Sequence, residues 1–310
     1  MRIALIGYGA VAAIHARGLA TAADASFAAV IGPDRGKAQA FADTHGAASA
    51  ATGIDEVQDP LDAVIIASPS PLHFPQAEAC LQRGLHVLIE LPAVQSPDEA
   101  RRLAALAASC GHIVRCATTS RFLRPYRMIG HWLQNGRLGT VLSLLHWRTI
   151  APRRRSWTDD ALLHHAAHPV DLLLHWFGAL QPLGCAAEPQ ALGAQQLALL
   201  ARLPEGAPVS MHIAYDGRLP SVGMTLVCER HMLVTDGFSF IRCDDPDLCW
   251  QGDEAGEYAD AIGRQDLAFI ATCRDGVDNQ PWTETVRLAE HIQAFQRLAL
   301  PLFTAPGASA

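Results

Sequence analysis

"IALIGYGAVAAIHA", residues 3–16, runs from an apolar stretch through Gly7-x-Gly9-x-x-Ala12 into a helical pattern. If the apolar stretch is a strand and the rest opens a helix, Gly7 permits the tight turn between them. Gly9 then lets the backbone approach a pyrophosphate held at the helix N-terminus. Gly7, Gly9, Ala10 and Val11 are therefore the candidate cofactor-binding positions. The pattern alone is weak, since a glycine turn without a ligand looks the same, and its force depends on the sequence around it.

That context is an alternation of strand and helix. "RIALIG" (2–7), "SFAAVIG" (26–32), "DAVIIAS" (62–68), "HVLIEL" (86–91) and "HIVRCATT" (112–119) are short apolar runs of the kind buried on both faces of a sheet. The segments between them carry helical periodicity, three of them ending in glycine. Such alternation predicts a Rossmann-type, doubly wound parallel sheet over 1–120. Beyond 120 the order changes: a helix (124–136), a strand (140–150), then strands at 195–203, 207–215, 220–228, 231–236 and 238–243 with no helix between them. Helices at 257–274 and 282–299 follow. Strands in succession predict an α+β domain over 121–310 with an open, mostly antiparallel sheet, serving substrate binding and oligomerisation. An open sheet face is normally covered, so a homodimer or homotetramer is expected.

The 310 residues suit about two domains, and with half of them hydrophobic and 18% charged a large core is expected. A net charge of −7 argues against a nucleic-acid surface, which needs clustered excess Lys and Arg. None of the eight cysteines falls in a C-x-x-C pair, which removes the zinc ribbon and the thioredoxin motif. Several sit in apolar runs, as buried reduced thiols of a cytoplasmic protein do. Residues 1–25 loosely imitate a secretory signal, but Gly7 and Gly9 interrupt the apolar core. No apolar run approaches the ~20 residues of a membrane span, so neither membrane nor nucleic acid is expected as a partner.

The second strand bears on the choice of dinucleotide. An NAD site usually ends this strand with an acidic residue for the ribose hydroxyls. "VIGPDRGK" offers Gly32 there, with Arg35 and Lys37 just beyond, which favours a 2′-phosphate and hence NADP. Asp34 keeps NAD as an alternative.

"ASPSPLHFPQA" (67–77) and "HVLIELPAVQSPDEA" (86–100), with "IGYGA" and the two-domain plan, resemble the Gfo/Idh/MocA oxidoreductases along essentially the whole chain. The resemblance implies cofactor contacts at Ser68, Pro69, His73, Glu90 and Pro92. In that family a Glu-Lys-Pro motif supplies a lysine for proton transfer, and a later Asp-x-x-x-His places the base. This chain has Glu90-Leu91-Pro92, without the lysine, and His164-x-x-x-His168. "RSWTDDALLHHAAHPVDLL" (155–173) resembles one branch, the 4-carboxy-2-hydroxymuconate-6-semialdehyde dehydrogenases, whose motif also lacks the lysine. The branch implies NADP-linked oxidation of a cyclic hemiacetal to a pyrone dicarboxylate, in bacterial breakdown of lignin-derived aromatics. Where the branch has T-R-R-F-N-P, this chain has Thr119-Ser120-Arg121-Phe122-Leu123-Arg124-Pro125, and the arginine loop shortens to "APRRRSWT". Reaction class therefore carries over better than exact substrate.

"HHAAHPVDLLLHWFG" (164–178) then reads as the chemical centre. Oxidising a hydroxyl releases a proton as the hydride leaves, and imidazole is suited to accept it near neutral pH. His168 is the candidate base, His164 the group that orients the reacting oxygen, and His165 its support. Pro169 lacks an N–H and suits a first helical turn, so 164–168 reads as an irregular lead-in. A His-x-x-x-His pair is also a zinc spacing, but no neighbouring ligand accompanies it and no metal is expected. Arg121, Arg154, Arg155 and Trp157 are the candidate binders of an acidic small-molecule substrate, because guanidinium forks suit carboxylates. Trp157, like Trp176 and Phe177, reads more readily as packing than as a stacking platform. Rival functions are a sugar or diol dehydrogenase of the same family, and a nucleotide-binding sensor that has lost catalysis.

Overall fold

The computed structural model describes residues 1–151, 160–187, 195–215 and 219–301. They divide into two compact units: Met1–Phe122 with Tyr258–Ala289, and Leu123–Glu257 with the chain from Glu290 onward.

The first unit holds six strands: β1 (Arg2–Ile6), β2 (Ser26–Ile31), β3 (Ser49–Ala51), β4 (Ala63–Ile66), β5 (His86–Glu90) and β6 (Val114–Ala117). They form one sheet in the order β3-β2-β1-β4-β5-β6, every pair parallel. This is the doubly wound arrangement, with its switch point between β1 and β4. Four helices connect the strands: α1 (Ala10–Thr21), α2 (Arg35–His45), α3 (His73–Gln82) and α4 (Pro97–Cys110). β4 is buried throughout, as a strand covered on both faces must be. Ser96 caps α4 by accepting from Glu99 N, and Pro97 occupies the first turn, where its missing N–H costs nothing.

The second unit begins with α5 (Arg124–Gln134), β7 (Val141–Thr149) and α6 (Ala167–Phe177). β8 (Gln181–Ala187), β9 (Gln196–Arg202), β10 (Pro208–Ala214), β11 (Ser221–Cys228), β12 (Met232–Thr235), β13 (Phe240–Cys243) and β14 (Trp250–Gln251) follow. After α7 (Glu254–Asp275) and α8 (Trp282–Arg297), β15 (Ala299–Pro301) ends the described chain. Among the described residues this sheet has nine strands, ordered β14-β13-β12-β11-β7-β10-β9-β8-β15. It is antiparallel except at β10–β7 and β15–β8. The sequence reading places no strand at β8 or at the two- and three-residue strands β3, β14 and β15.

The first unit runs to Phe122 and resumes at Tyr258. Residues 258–289, expected in the second domain, belong to the first unit. Phe269 and Ile270 of α7 join its apolar core with Ile3, Leu5, Leu19 and Val30. His15 pairs with Asp266, and Arg115 with Asp278. No described helix is long and apolar enough to cross a membrane.

Candidate active site

At the dinucleotide end, Gly7 adopts φ +116°, and a Cβ there would lie 2.5 Å from the Ala67 carbonyl oxygen. Only glycine fits so close to the chain leaving β4. Gly9 is the N-cap of α1 and supplies no side-chain cap, so the first-turn N–H groups stay available to an anion. A Cβ on Gly9 would meet nothing within 4 Å. That open cradle at a helix N-terminus fits a pyrophosphate, with Ala10 and Val11 in the same turn.

His73 opens α3, and its two ring nitrogens lie 2.8 Å from the carbonyl oxygens of Pro92 and Ser68. It thereby ties together the loops that follow β4 and β5. Ser68 Oγ donates to Gln76 Oε1 at 2.6 Å, and Pro69 leads into a single 3-10 turn. His73 and Ser68 are thus held by protein partners of their own. The Arg35 guanidinium pairs with Glu56 at the surface. Asp34 accepts from Lys37 N at 3.0 Å, and this cap holds its carboxyl below the usual range. Gly32 has a steric reason to be glycine, because a Cβ would lie 2.2 Å from the Tyr8 ring. A ribose-binding carboxylate cannot stand at 32 unless Tyr8 moves.

In the second unit, Leu162–Ala166 forms a π-helical turn that runs directly into α6 at Ala167, ahead of the expected start at Pro169. Asp160 supports its entrance by accepting from Leu162 N at 2.7 Å. Such turns re-aim side chains and occur often at functional sites. Here His164 and His165 stack at 4.3 Å between ring centroids, and His168 lies 6.2 Å from His164. His165 is buried and also packs on Tyr215, at 4.6 Å.

Two side chains of β7 complete this cluster. His146 and Arg148, two residues apart, share one face of the strand. His168 is pushed well below the ordinary histidine range by burial, by the Arg148 charge and by His164 and His146. Burial and Arg148 push His146 down to about 3. Among the described residues, its Nδ1 is buried without a hydrogen-bond partner. His168 thus stands below the ordinary imidazole range that the sequence reading expects of the base. Sequence reasoning missed His146 and Arg148, although the spacing in "LLHWR" was the available signal.

Arg121, the expected carboxylate binder, is buried in the first unit, and its guanidinium pairs with Glu284 of α8. Arg154, Arg155 and Trp157 lie outside the described residues. Leu91, where the family carries lysine, is 7% exposed. The only grouping with metal-ligand spacing among the described residues is His231, Cys243 and Asp244, not the α6 histidines. Burial carries the Cys243 thiol up to about 11, which keeps it protonated.

A doubly wound sheet with a glycine cradle at α1, and a histidine cluster in the second unit, fit an NAD(P)-dependent oxidoreductase. Residues 1–118 match the Gfo/Idh/MocA model, an oxidoreductase family with an NAD-binding Rossmann fold. The chain is 27% identical to a 4-carboxy-2-hydroxymuconate-6-semialdehyde dehydrogenase of Sphingobium sp., over 97% of this chain and 99% of the relative. It is 30% identical to a glucose-6-phosphate 3-dehydrogenase of Bacillus subtilis, over 52% of this chain and 47% of the relative. In fold it is similar to a 3-ketoreductase from Actinomadura kijaniata solved with TDP-benzene and NADP, at TM-score 0.85 and 18% identity, covering 98% and 99% of the two chains. Residues 1–118 thus match the NAD-binding part of the Gfo/Idh/MocA oxidoreductases, and along nearly its whole length the chain is similar to a dehydrogenase.

Proposed function

We propose that this oxidoreductase removes a hydride from an acidic cyclic hemiacetal or semialdehyde-derived hydroxyl, preferring NADP, with His168 as general base. One observation carries the reading: His168, held below the ordinary imidazole range, stands beside His164 and the Arg148 charge, in a chain that has Leu91 in place of the family lysine. NADP⁺ held at the Gly7–Gly9 turn would supply the hydride acceptor. His168 would take the hydroxyl proton at a ring nitrogen as the carbinol is oxidised to a carbonyl. His164 orients the hydroxyl oxygen, and His165, stacked on it and packed on Tyr215, restricts its rotation. Arg148 favours an anionic substrate, whose carboxylate in turn offsets the charge that depresses His168. The Sphingobium relative's name supports a carboxylated substrate of this kind. Glucosides and inositols are the substrates of the rival reading.

The test is a screen of reduced-cofactor formation with carboxylated hemiacetals, sugars and inositols. Turnover confined to sugars or inositols would overturn the substrate class.

The same reading includes a homo-oligomer. Leu145 and Leu200 flank Ser210 in one cross-strand row of the second sheet, and both leucines are exposed, at 47% and 53%. A second copy of this chain covering that face is the proposed partner.

A further inference from the structure

His15, on α1, is wholly buried between two carboxylates of the first unit. Its Nδ1 lies 2.8 and 3.0 Å from the two carboxylate oxygens of Asp266, and its Nε2 lies 3.0 Å from Glu90 Oε1. Asp266 belongs to α7 and is itself 1% exposed. Gly18, one turn further along α1, makes room for it, since a Cβ there would lie 3.2 Å from Asp266 Oδ2. With an acceptor at each nitrogen the ring donates from both, which only the imidazolium can do. Burial opposes that charge, but Asp266 and Glu90 more than offset it and carry His15 up to about 10. Burial pushes the Asp266 carboxyl up in turn, and the His15 charge opposes that rise.

Glu90 is the last residue of β5. In a doubly wound sheet the dinucleotide lies across the carboxyl ends of the strands, its two nucleotides shared between the halves of the sheet. The half containing β1 carries the Gly7–Gly9 turn and the Gly32 end of β2, which serve the pyrophosphate and the adenosine ribose. The half containing β4, β5 and β6 is left for the nicotinamide nucleotide. Glu90 keeps 16% of its side chain exposed at that edge, whereas His15 and Asp266 are sealed beneath it.

We infer that His15, anchored by Asp266, is a positioning residue that fixes the Glu90 carboxylate at the nicotinamide half of the sheet, where its charge favours oxidised over reduced dinucleotide. Oxidised nicotinamide is cationic and the reduced ring is neutral, so a fixed anion discriminates between them, while adenosine and pyrophosphate contacts are common to both. The inference rests on the dinucleotide reading but not on the identity of the substrate.

The experiment measures dissociation constants of NADP⁺ and NADPH, and of NAD⁺ and NADH, by titration without substrate. It compares wild type with Glu90→Gln, His15→Asn and the double variant, and records a melting temperature for each. Glu90→Gln keeps shape and acceptor while removing the charge. It is expected to weaken oxidised relative to reduced binding by about three- to tenfold, the order of one partly screened unit charge. His15→Asn is expected to shift the ratio in the same direction. Added to Glu90→Gln it should shift the ratio no further, because it acts through that carboxylate. An unchanged ratio in Glu90→Gln overturns the inference even if His15→Asn does not fold. Equal and additive shifts from the two substitutions overturn the positioning role of His15. Failure of every form to bind any dinucleotide would instead refute the dinucleotide reading.

Discussion

The His168 ring lies 6.2 Å from that of His164, both presented by the π turn and the start of α6. That separation lets two imidazoles reach the same small group while only one accepts its proton. His168→Asn should leave the dissociation constant of NADP unchanged and lower kcat by ~10²–10⁴, the usual contribution of a positioned base. His164→Asn should cost less, since water can partly replace an orienting contact. Restoring the family lysine with Leu91→Lys should rescue neither, because Leu91 is buried. Near-normal kcat for His168→Asn would remove the proposed mechanism.

The depressed His168 has a consequence for the pH profile. The acid limb of kcat/KM reports the free enzyme's base. Because burial and Arg148 push His168 well below 6.5, the limb should lie below that value. Arg148→Met removes the charge and should move the limb toward neutrality. A wild-type limb at or above 6.5 would contradict the electrostatics described here.

Stability should depend on pH in two separate windows. His15 is raised in the folded state, up to about 10, so its contribution is complete below 6.5 and is lost as pH rises through 10. His146 is lowered to about 3, so the unfolded chain takes its proton first and stability falls as pH drops from 6.5 toward 3. Denaturant unfolding across pH 4–10 should show both slopes. His15→Asn should flatten the alkaline one, and His146→Leu the acid one.

NADP should bind more tightly than NAD, because Gly32 brings no carboxylate against a 2′-phosphate and Arg35 stands nearby. Arg35 is engaged by Glu56, an exposed pair of little intrinsic strength. Glu56→Gln should therefore tighten NADP binding, and Arg35→Ala should weaken NADP while sparing NAD. Titration of both cofactors measures this directly, and tighter NAD binding in the wild type would be the contrary outcome.

If the leucine-bearing face of the second sheet is an oligomer interface, Leu145→Glu with Leu200→Glu should yield a monomer by solution scattering at micromolar concentration. Both leucines already face solvent in the isolated chain, so its fold should survive the change. A monomeric wild type would dispose of the proposal.

The sequence by itself determined five of the six strands in the first unit's sheet. Strands buried on both faces announce themselves as apolar runs, and Gly7 and Gly9 are dictated by local backbone chemistry that needs no distant partner. It also marked out the histidine segment, because three imidazoles around a proline are conspicuous wherever they fold. Long alternating strands of the second sheet were legible, whereas β3 and β14 are too short to carry a period. What tertiary structure decided was which charges meet. Nothing in the sequence pairs Arg121 with Glu284, 163 residues away. His15 reads as an ordinary helix residue until Asp266 and Glu90 close on its two nitrogens. His146 and Arg148 look like strand residues until the fold sets them beside His168. An ion pair or a shifted pKa depends on distance and burial, and those are fixed only when segments far apart in the chain pack together.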